Sequence, residues 1–484
     1  LPTLASDLGA STGQLQWFAN AFNLVFAALL LPAGLTGDRF GRKKLLVVAF
    51  LLFGAASIGC AYSGGAGTLI WWRCVLGLGA AFIFPLSLSV LPVLFAPAER
   101  PKAIAVVVTG SAAGVPLGPI VGGWMLTHFW WGSVFLINVP LILVTLAIVL
   151  VALPDSRAAQ PPGFDPVGVL SSTLGLTGIT YGAIRAGEDG WGDPTALALM
   201  AAGVVVVAGF VAWQRWLTGR GRPTLIDLSL FTSVSFSWGV TLATVVSFAL
   251  FGLLFTAPQY FQAVLGADAL GTGVRLLPFI GGMLVGAPVA DRVVRIIGGK
   301  VTVALGFLFA AIGLFAGAQT DLDTGYGFVA AWIAVVGMGM GFALPQAVNA
   351  AVGALSVERT GVGTALVQTV RQVGGTVGVA FLGTVLSSAY HDKIDVTGLP
   401  PRAAESVTDS VAGGVAVAQA LKSDALLTSV QSAFMHGMSS VCLVSAGIAV
   451  VGMVLTLVFL PRDPDNLGTQ DPDQPAKELP SPVG

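Results

Sequence analysis

Apolar residues in this chain come in long blocks and do not alternate with polar ones. A helix that crosses a bilayer needs about 20 mostly apolar residues, and thirteen stretches approach or exceed that length. They lie near 14–36, 45–63, 68–92, 103–126, 133–153, 167–186, 195–216, 234–257, 271–290, 301–318, 326–353, 361–388 and 431–460. Each predicts a membrane-spanning helix, because in hydrocarbon the backbone must satisfy its hydrogen bonds within the segment. The fold class is therefore all-α and polytopic. Polar positions collect between the blocks. The longest such interval, 389–430, contains a helix-prone stretch at 403–428; it is placed outside the membrane and has no assigned role. From Pro461 the chain is rich in Pro and Asp and reads as a disordered tail.

Charge then orients the helices. Sixteen of the 23 basic residues fall in loops on one side: Arg39, Arg42, Lys43, Lys44, Arg100, Lys102, Arg157, Arg215, Arg220, Arg222, Arg292, Arg295, Lys300, Arg359, Arg462 and Lys477. Only Arg185, Lys393, Arg402 and Lys422 fall on the other. Excess Lys and Arg marks cytoplasmic loops, so the C-terminus is expected in the cytoplasm and the protein in the cell membrane. Thirteen spans would then leave Leu1 outside, with no signal peptide to carry it there. The expectation is that a first helix is missing, giving fourteen in all; the alternative is a true 13-span protein.

Composition narrows the function classes. The chain is 55% hydrophobic and 10% charged, with net charge −1 and mean hydropathy +0.86. Soluble domains carry about 25% charged residues, and no basic patch is available for nucleic acid. The 63 glycines suggest closely packed membrane helices. Cys60, Cys74 and Cys442 all sit in apolar stretches and suggest neither disulfides nor a metal site. No nucleotide-binding signature appears, so no cofactor is expected.

An internal repeat is visible. Gly34…Asp38-Arg39 at one span end recurs as Gly286…Asp291-Arg292 at another, and the glycine-rich 110–123 stretch recurs loosely at 361–383. Two similar helical halves are a known transporter architecture. The expected organisation is an N-terminal half at 1–153 and an inserted helix pair with flanking loops at 154–222. A C-terminal half at 223–460, including loop 389–430, and the tail at 461–484 follow.

Several motifs carry a resemblance. Gly34-Leu35-Thr36-Gly37-Asp38-Arg39-Phe40-Gly41-Arg42-Lys43-Lys44 resembles the loop signature of the major facilitator superfamily. Arg73-Cys74-Val75-Leu76-Gly77-Leu78-Gly79-Ala80-Ala81 is similar to its conserved-arginine motif. Gly110, Gly114, Gly118, Pro119, Gly122 and Gly123 are similar to its antiporter motif. Phe135-Leu136-Ile137-Asn138-Val139-Pro140 and Arg371-Gln372-Val373-Gly374-Gly375 resemble segments of the 14-helix drug:proton antiporter branch. Leu76 departs from the family, which usually has Gln there. The family's first helix, which usually carries an acidic residue implicated in proton coupling, is not in this sequence. The resemblance implies a fold of two six-helix halves plus two inserted helices. It also implies export of amphipathic small molecules in exchange for protons, by a protein functional as a monomer.

The residues themselves suggest roles. Gly34, Asp38, Arg39, Gly41 and Arg42 form a topology-setting loop or, following the resemblance, a conformational latch in which Asp38 bonds a helix N-terminus or an arginine. Gly110, Gly114, Gly118 and Gly122 recur every four residues on one helix face, where missing side chains let backbones touch; Pro116 and Pro119 should bend that helix. The plain alternative is ordinary tight packing. Arg73 lies near the outer face, where it either snorkels or couples to a titrating carboxylate. Arg371 lies about ten residues into its span, too deep for easy snorkelling; it is a clamp on backbone carbonyls or a functional charge. Arg275 is shallower and is expected to snorkel. All 24 acidic residues fall in loops, at span ends or in the tail, so none is deep in the bilayer. His436 is the remaining titratable candidate within a span, and a lone histidine is more often structural. Asn20, Asn23, Gln346, Asn349, Gln368 and Gln372 are the expected cavity lining, although some must serve only to bond helices. Trp71-Trp72 and Trp130-Trp131 are expected at an aromatic belt.

Two readings compete with export. Arg371 without an acidic partner would also suit a proton-coupled importer or exchanger of a polar or anionic metabolite. A membrane-embedded enzyme would need a catalytic cluster, and none is found.

Overall fold

Uninterrupted apolar runs fold into long helices whose outward faces stay apolar, because the solvent they meet is lipid. The structure, a computed structural model, describes residues 12–95, 114, 118, 120–154, 165–222, 224–353, 355 and 360–461. Its helices are α1 (Thr12–Phe40), α2 (Arg42–Ala61), α3 (Ala66–Leu94), a segment at 120–128, α4 (Ser133–Leu136) and α5 (Asn138–Ala152). Then come α6 (Pro166–Asp189), α7 (Pro194–Gly219), a 3-10 turn (Leu228–Thr232), α8 (Val234–Ala263), α9 (Ala269–Arg275), α10 (Leu277–Ile297) and α11 (Gly299–Gly317). The last are α12 (Tyr326–Val352), α13 (Thr360–His391), α14 (Pro401–Asp409), α15 (Val411–Leu421) and α16 (Asp424–Phe459). No strand occurs among the described residues.

Eleven of the helical stretches are long and apolar enough to cross a membrane, and they coincide with eleven of the thirteen expected spans. The expected 14–36 span lies within α1. Most of the 103–126 span lies outside the described residues, as do Gly110, Pro116, Pro119 and the tail beyond Pro461. α5 shows the inverted surface plainly. It buries Ile142, while Leu141, Leu143, Val144 and Ile148 are each more than half exposed. A water-facing helix with that surface would associate or aggregate.

Helix boundaries follow local rules. Gly41, at φ 104°, separates α1 from α2, and Gly298, at φ 82°, separates α10 from α11. Both sit on the basic end of the bundle, at corresponding points of the internal repeat, where left-handed backbone favours glycine. The inserted helices α6 and α7 each start at an Asp-Pro pair. Asp165 accepts from Gly168 N–H at 2.8 Å and Asp193 from Ala196 N–H at 2.9 Å. The proline follows at the first helical position, where a missing N–H costs nothing.

α1, α2 and α3 pack together, with α5 against α2. In the other half α10, α11 and α12 pack together, while α8 packs on α12, α13 and α16. Glycines set the closest approaches. A Cβ at Gly77 would lie 2.6 Å from the Phe22 carbonyl oxygen, and one at Gly341 2.6 Å from that of Met283. α1 and α3, and likewise α10 and α12, therefore touch backbone to backbone. α6 lies along the meeting line of the halves, packing on both α1 and α13. Tyr181 of α6 meets Trp17 of α1 at 5.4 Å between rings, and Gly187 faces Ala380 of α13.

The expected helix-prone stretch at 403–428 forms α14, α15 and the first residues of α16. Val407, Val411 and Ala418 fold back onto the second-half core, and the Tyr390 hydroxyl donates to the Val407 carbonyl at 2.8 Å.

Candidate functional site

The Arg371–Gly375 motif becomes intelligible in the packing of α13 on α8. Gly374, Gly375 and Gly378 all face α8, and a Cβ at Gly378 would lie 2.5 Å from the Phe248 carbonyl oxygen. This approach brings the fully buried Ser247 to Arg371. Arg371 Nε–H donates to Ser247 Oγ at 3.0 Å, and Nη1 donates to Gln368 Oε1 at 3.1 Å. The Ser247 hydroxyl donates onward to the Ala243 carbonyl at 2.8 Å, so its lone pairs are free to accept. Among the described residues the partners of Arg371 are thus neutral side-chain oxygens and not the backbone carbonyls of a clamp. A guanidinium carries five N–H donors, and two of these are spent on described residues.

The next residue joins the halves. Gln372 Nε2 donates to Asn23 Oδ1 of α1 at 3.3 Å. Asn23 and Gln372 are both near the middle of their helices, so this polar contact lies deep in the bundle. Of the six uncharged residues expected to line a cavity, Asn23, Gln368 and Gln372 are brought together here. The side chain of Asn20 lies outside the described residues.

Gln346 is elsewhere. Its Nε2 donates to Asp291 Oδ1 at 2.8 Å, linking α12 to α10. The reason is depth. Both residues lie six positions before the ends of their helices at the basic end, so they meet across the glycine contact of α10 and α12. Asn349, three residues further toward that end, is exposed.

The equivalent region of the first half is where the latch is expected from the sequence. A Cβ at Gly37 would meet the end of the buried Leu86 side chain of α3, which would have to shift to admit it. Arg39 stacks over Phe40 at 5.9 Å and Arg42 opens α2. Lys43 Nζ donates to the Leu150 carbonyl at 2.9 Å, capping the end of α5 with a cation. The surroundings of Gly34 and the side chain of Asp38 lie outside the described residues.

Among the described residues Arg73 meets an aromatic ring and no acid. Its guanidinium carbon is 5.8 Å from the Phe135 ring centroid, and its buried Nε has no partner. Asn138, in the same short motif as Phe135, donates to Ser57 at 3.3 Å and ties α5 to α2. Arg275 is half-buried at the end of α9, where its carbonyl accepts from the Tyr326 hydroxyl at 3.2 Å.

The antiporter-motif glycines divide. Gly114, Gly118 and Gly122 have no described atom within 4 Å of a built Cβ, and Gly114 and Gly118 are exposed. The expected close approach of a backbone at Gly118 is absent among the described residues. The residue in contact is Gly123, whose Cβ would lie 2.7 Å from the Ala269 carbonyl, at the start of α9 in the other half. Four-residue spacing carries the first three glycines along one face that is open here, while Gly123 is rotated by one residue toward α9.

Sequence reading missed three features. Ser247 looks like any hydroxyl in an apolar run. Asp165, at a span end as expected, is buried and takes Trp213 Nε1 at 3.0 Å and Gln214 Nε2 at 2.6 Å as well as Gly168 N–H. The Asp-Pro start and a Trp-Gln pair in the facing span were the available signals. His436 is exposed and lines a cavity of about 510 Å³ with Asp321 and Asp323, away from Arg371 and at the end opposite the basic loops.

Two helical halves with a polar contact between them, α6 packed on both and α7 packed on α6, are the architecture of a polytopic membrane transporter. Residues 1–379 match the Major Facilitator Superfamily, and the chain belongs to that family of transporters. It is similar to the tetracenomycin C resistance and export protein of Streptomyces glaucescens, with 32% identity covering 98% of this chain and 90% of that protein. It is also 32% identical to the multidrug efflux pump LfrA of Mycolicibacterium smegmatis, covering 94% and 91%. Among solved structures, a bacterial homologue of the lysosomal transporter Spinster in an inward-facing, unoccupied conformation shares the fold. Its TM-score is 0.63 at 16% identity, covering 95% of this chain and 92% of that one.

Proposed function

We propose that this protein is a secondary active exporter that moves amphipathic small molecules across the cytoplasmic membrane in exchange for protons. The names of its relatives support export, and proton exchange follows from the family. The observation that carries the reading is the polar contact between the halves, where Gln372 of α13, the residue after Arg371, donates to Asn23 of α1. A substrate site between two halves that rock against each other needs polar groups at mid-depth.

The sixteen basic loop residues support a cytoplasmic basic end and a cytoplasmic C-terminus. The described contact of Gly123 with α9 then closes the outer side. The halves are 1–153 and 223–460, with 154–222 inserted and 461–484 a cytoplasmic tail. Asp38, Arg39 and Arg42 act as the latch of the first half, and Asp291 with Gln346 as its counterpart. The transporting unit is a single chain.

Proteoliposomes holding the purified protein test this reading. An imposed proton gradient should drive uptake of fluorescent amphipaths into vesicles of inverted orientation, and an uncoupler should abolish it. Transport that ignores the gradient would overturn proton exchange.

A further inference from the structure

Resting on that export reading, we infer that the site at Arg371 selects aromatic weak acids: planar apolar molecules bearing a carboxylate or an acidic phenol. Among the described residues no carboxylate meets the Arg371 guanidinium. Arg371 is half-buried, mid-span, and spends one Nε–H and one Nη1–H on neutral oxygens. A guanidinium held in low dielectric without a counter-ion is costly unless something neutralises it. The carboxylates of the described membrane helices all lie at or near helix ends: Asp38 in α1, Glu188 and Asp189 in α6, Asp291, engaged by Gln346, in α10, and Asp424 at the first position of α16.

Ser247 and Gln368 do more than satisfy Arg371. Held at Nε and at one edge of Nη1, the planar fork cannot rotate freely, so its unspent N–H groups keep a fixed direction. That is the arrangement that recognises a two-oxygen or phenolate acceptor. Ser247 is thus a positioning residue for the fork. An apolar surface lies nearby on α1. Phe26 follows Asn23 by three residues, on the same face, and stacks on Phe22 at 5.8 Å with an interplanar angle of 7°. A flat ring system can lie against such a surface while its acid group reaches the guanidinium.

The test uses two probes with the same ring and opposite charge, 1-naphthoate and 1-naphthylmethylammonium. Each is titrated at pH 7 into the full chain in nanodiscs of zwitterionic lipid, with empty nanodiscs as the partition control. The wild-type chain should bind naphthoate about tenfold or more tightly than the ammonium probe, the scale of one charge-assisted hydrogen-bonded pair. Arg371→Gln should erase that preference and Arg371→Lys should retain part of it. Ser247→Ala should shrink it several-fold, which also serves if Arg371→Gln does not fold. Equal or tighter binding of the ammonium probe, or a preference unchanged in Arg371→Gln or Ser247→Ala, would overturn the inference. Proton-driven export of amphipaths without a preference for naphthoate would sink this inference alone. A naphthoate preference without proton-driven export would instead sink the export reading.

Discussion

Two glycine-rich stretches related by the internal repeat behave in opposite ways. In α13, Gly374, Gly375 and Gly378 are filled against α8, and their closeness carries Ser247 to Arg371. In the first-half counterpart, Gly114, Gly118 and Gly122 present bare backbone to open space among the described residues, and Gly123 alone touches the other half. Glycine spacing therefore announces missing side chains, not what occupies the place they leave. A filled glycine face fixes one helix to another for good. An open one is free to close at a different stage of a cycle in which two halves rock.

The largest expected effect separates these two faces. Gly378→Leu forces a side chain into the Phe248 backbone and should cost about 3 kcal/mol or more. Little folded protein should be recovered in detergent, and any that is should melt early. Gly118→Leu meets no described atom, so its melting temperature should stay near wild type. Its export should nevertheless fall, because the open face must close as the halves rock. Wild-type export by Gly118→Leu would remove that face from the cycle.

Next in size is Arg371. Arg371→Ala removes the deepest described charge and should abolish proton-driven efflux at near-normal expression, while Arg371→Lys, which keeps the charge but not the fork, should retain a measurable part. Efflux by Arg371→Ala equal to wild type at every pH would make the residue a bystander.

A smaller effect concerns the basic end. Asp38→Asn, Arg42→Ala and Gln346→Leu should slow transport several-fold while leaving equilibrium substrate binding intact, because these residues lie away from the Arg371 site. Lost binding with normal conformational exchange would contradict the latch.

The spans were legible because burial in lipid demands long apolar runs, and eleven of them reappear as helices of sufficient length. The depth of Arg371 was legible for the same reason. Its partners were not. Ser247 is 124 positions away, and nothing in an apolar helix marks which hydroxyl will face a guanidinium. Gln346 read as cavity lining because a glutamine inside a span has few visible partners, and Asp291 lies 55 positions earlier. The buried setting of Asp165 was hidden by its place at a span end, where carboxylates are usually solvated.

The smallest effect belongs to the turn between the inserted helices. There the Arg185 side chain, 2.8 Å away, and then the Ala196 N–H hold the Asp193 carboxyl below its ordinary range. A carboxylate with a depressed folded pKa contributes stability above its unfolded pKa and loses it as pH falls through the folded value. Protection factors at 189–194, with the intrinsic slowing of exchange in acid divided out, should therefore fall on acidification, and Arg185→Ala should move that onset to higher pH. The shift should be slight, because exposed pairs contribute little.

The polar contact between Asn23 and Gln372 tests alternating motion of the halves most directly. In a chain with Cys60, Cys74 and Cys442 replaced, Asn23→Cys and Gln372→Cys are joined by a short reducible crosslinker, and proton-driven efflux is measured before and after reduction. Efflux should stop when the pair is joined and return when the link is cleaved. Full efflux through the crosslinked protein would show that α1 and α13 do not separate during transport, and would contradict a mechanism built on their parting.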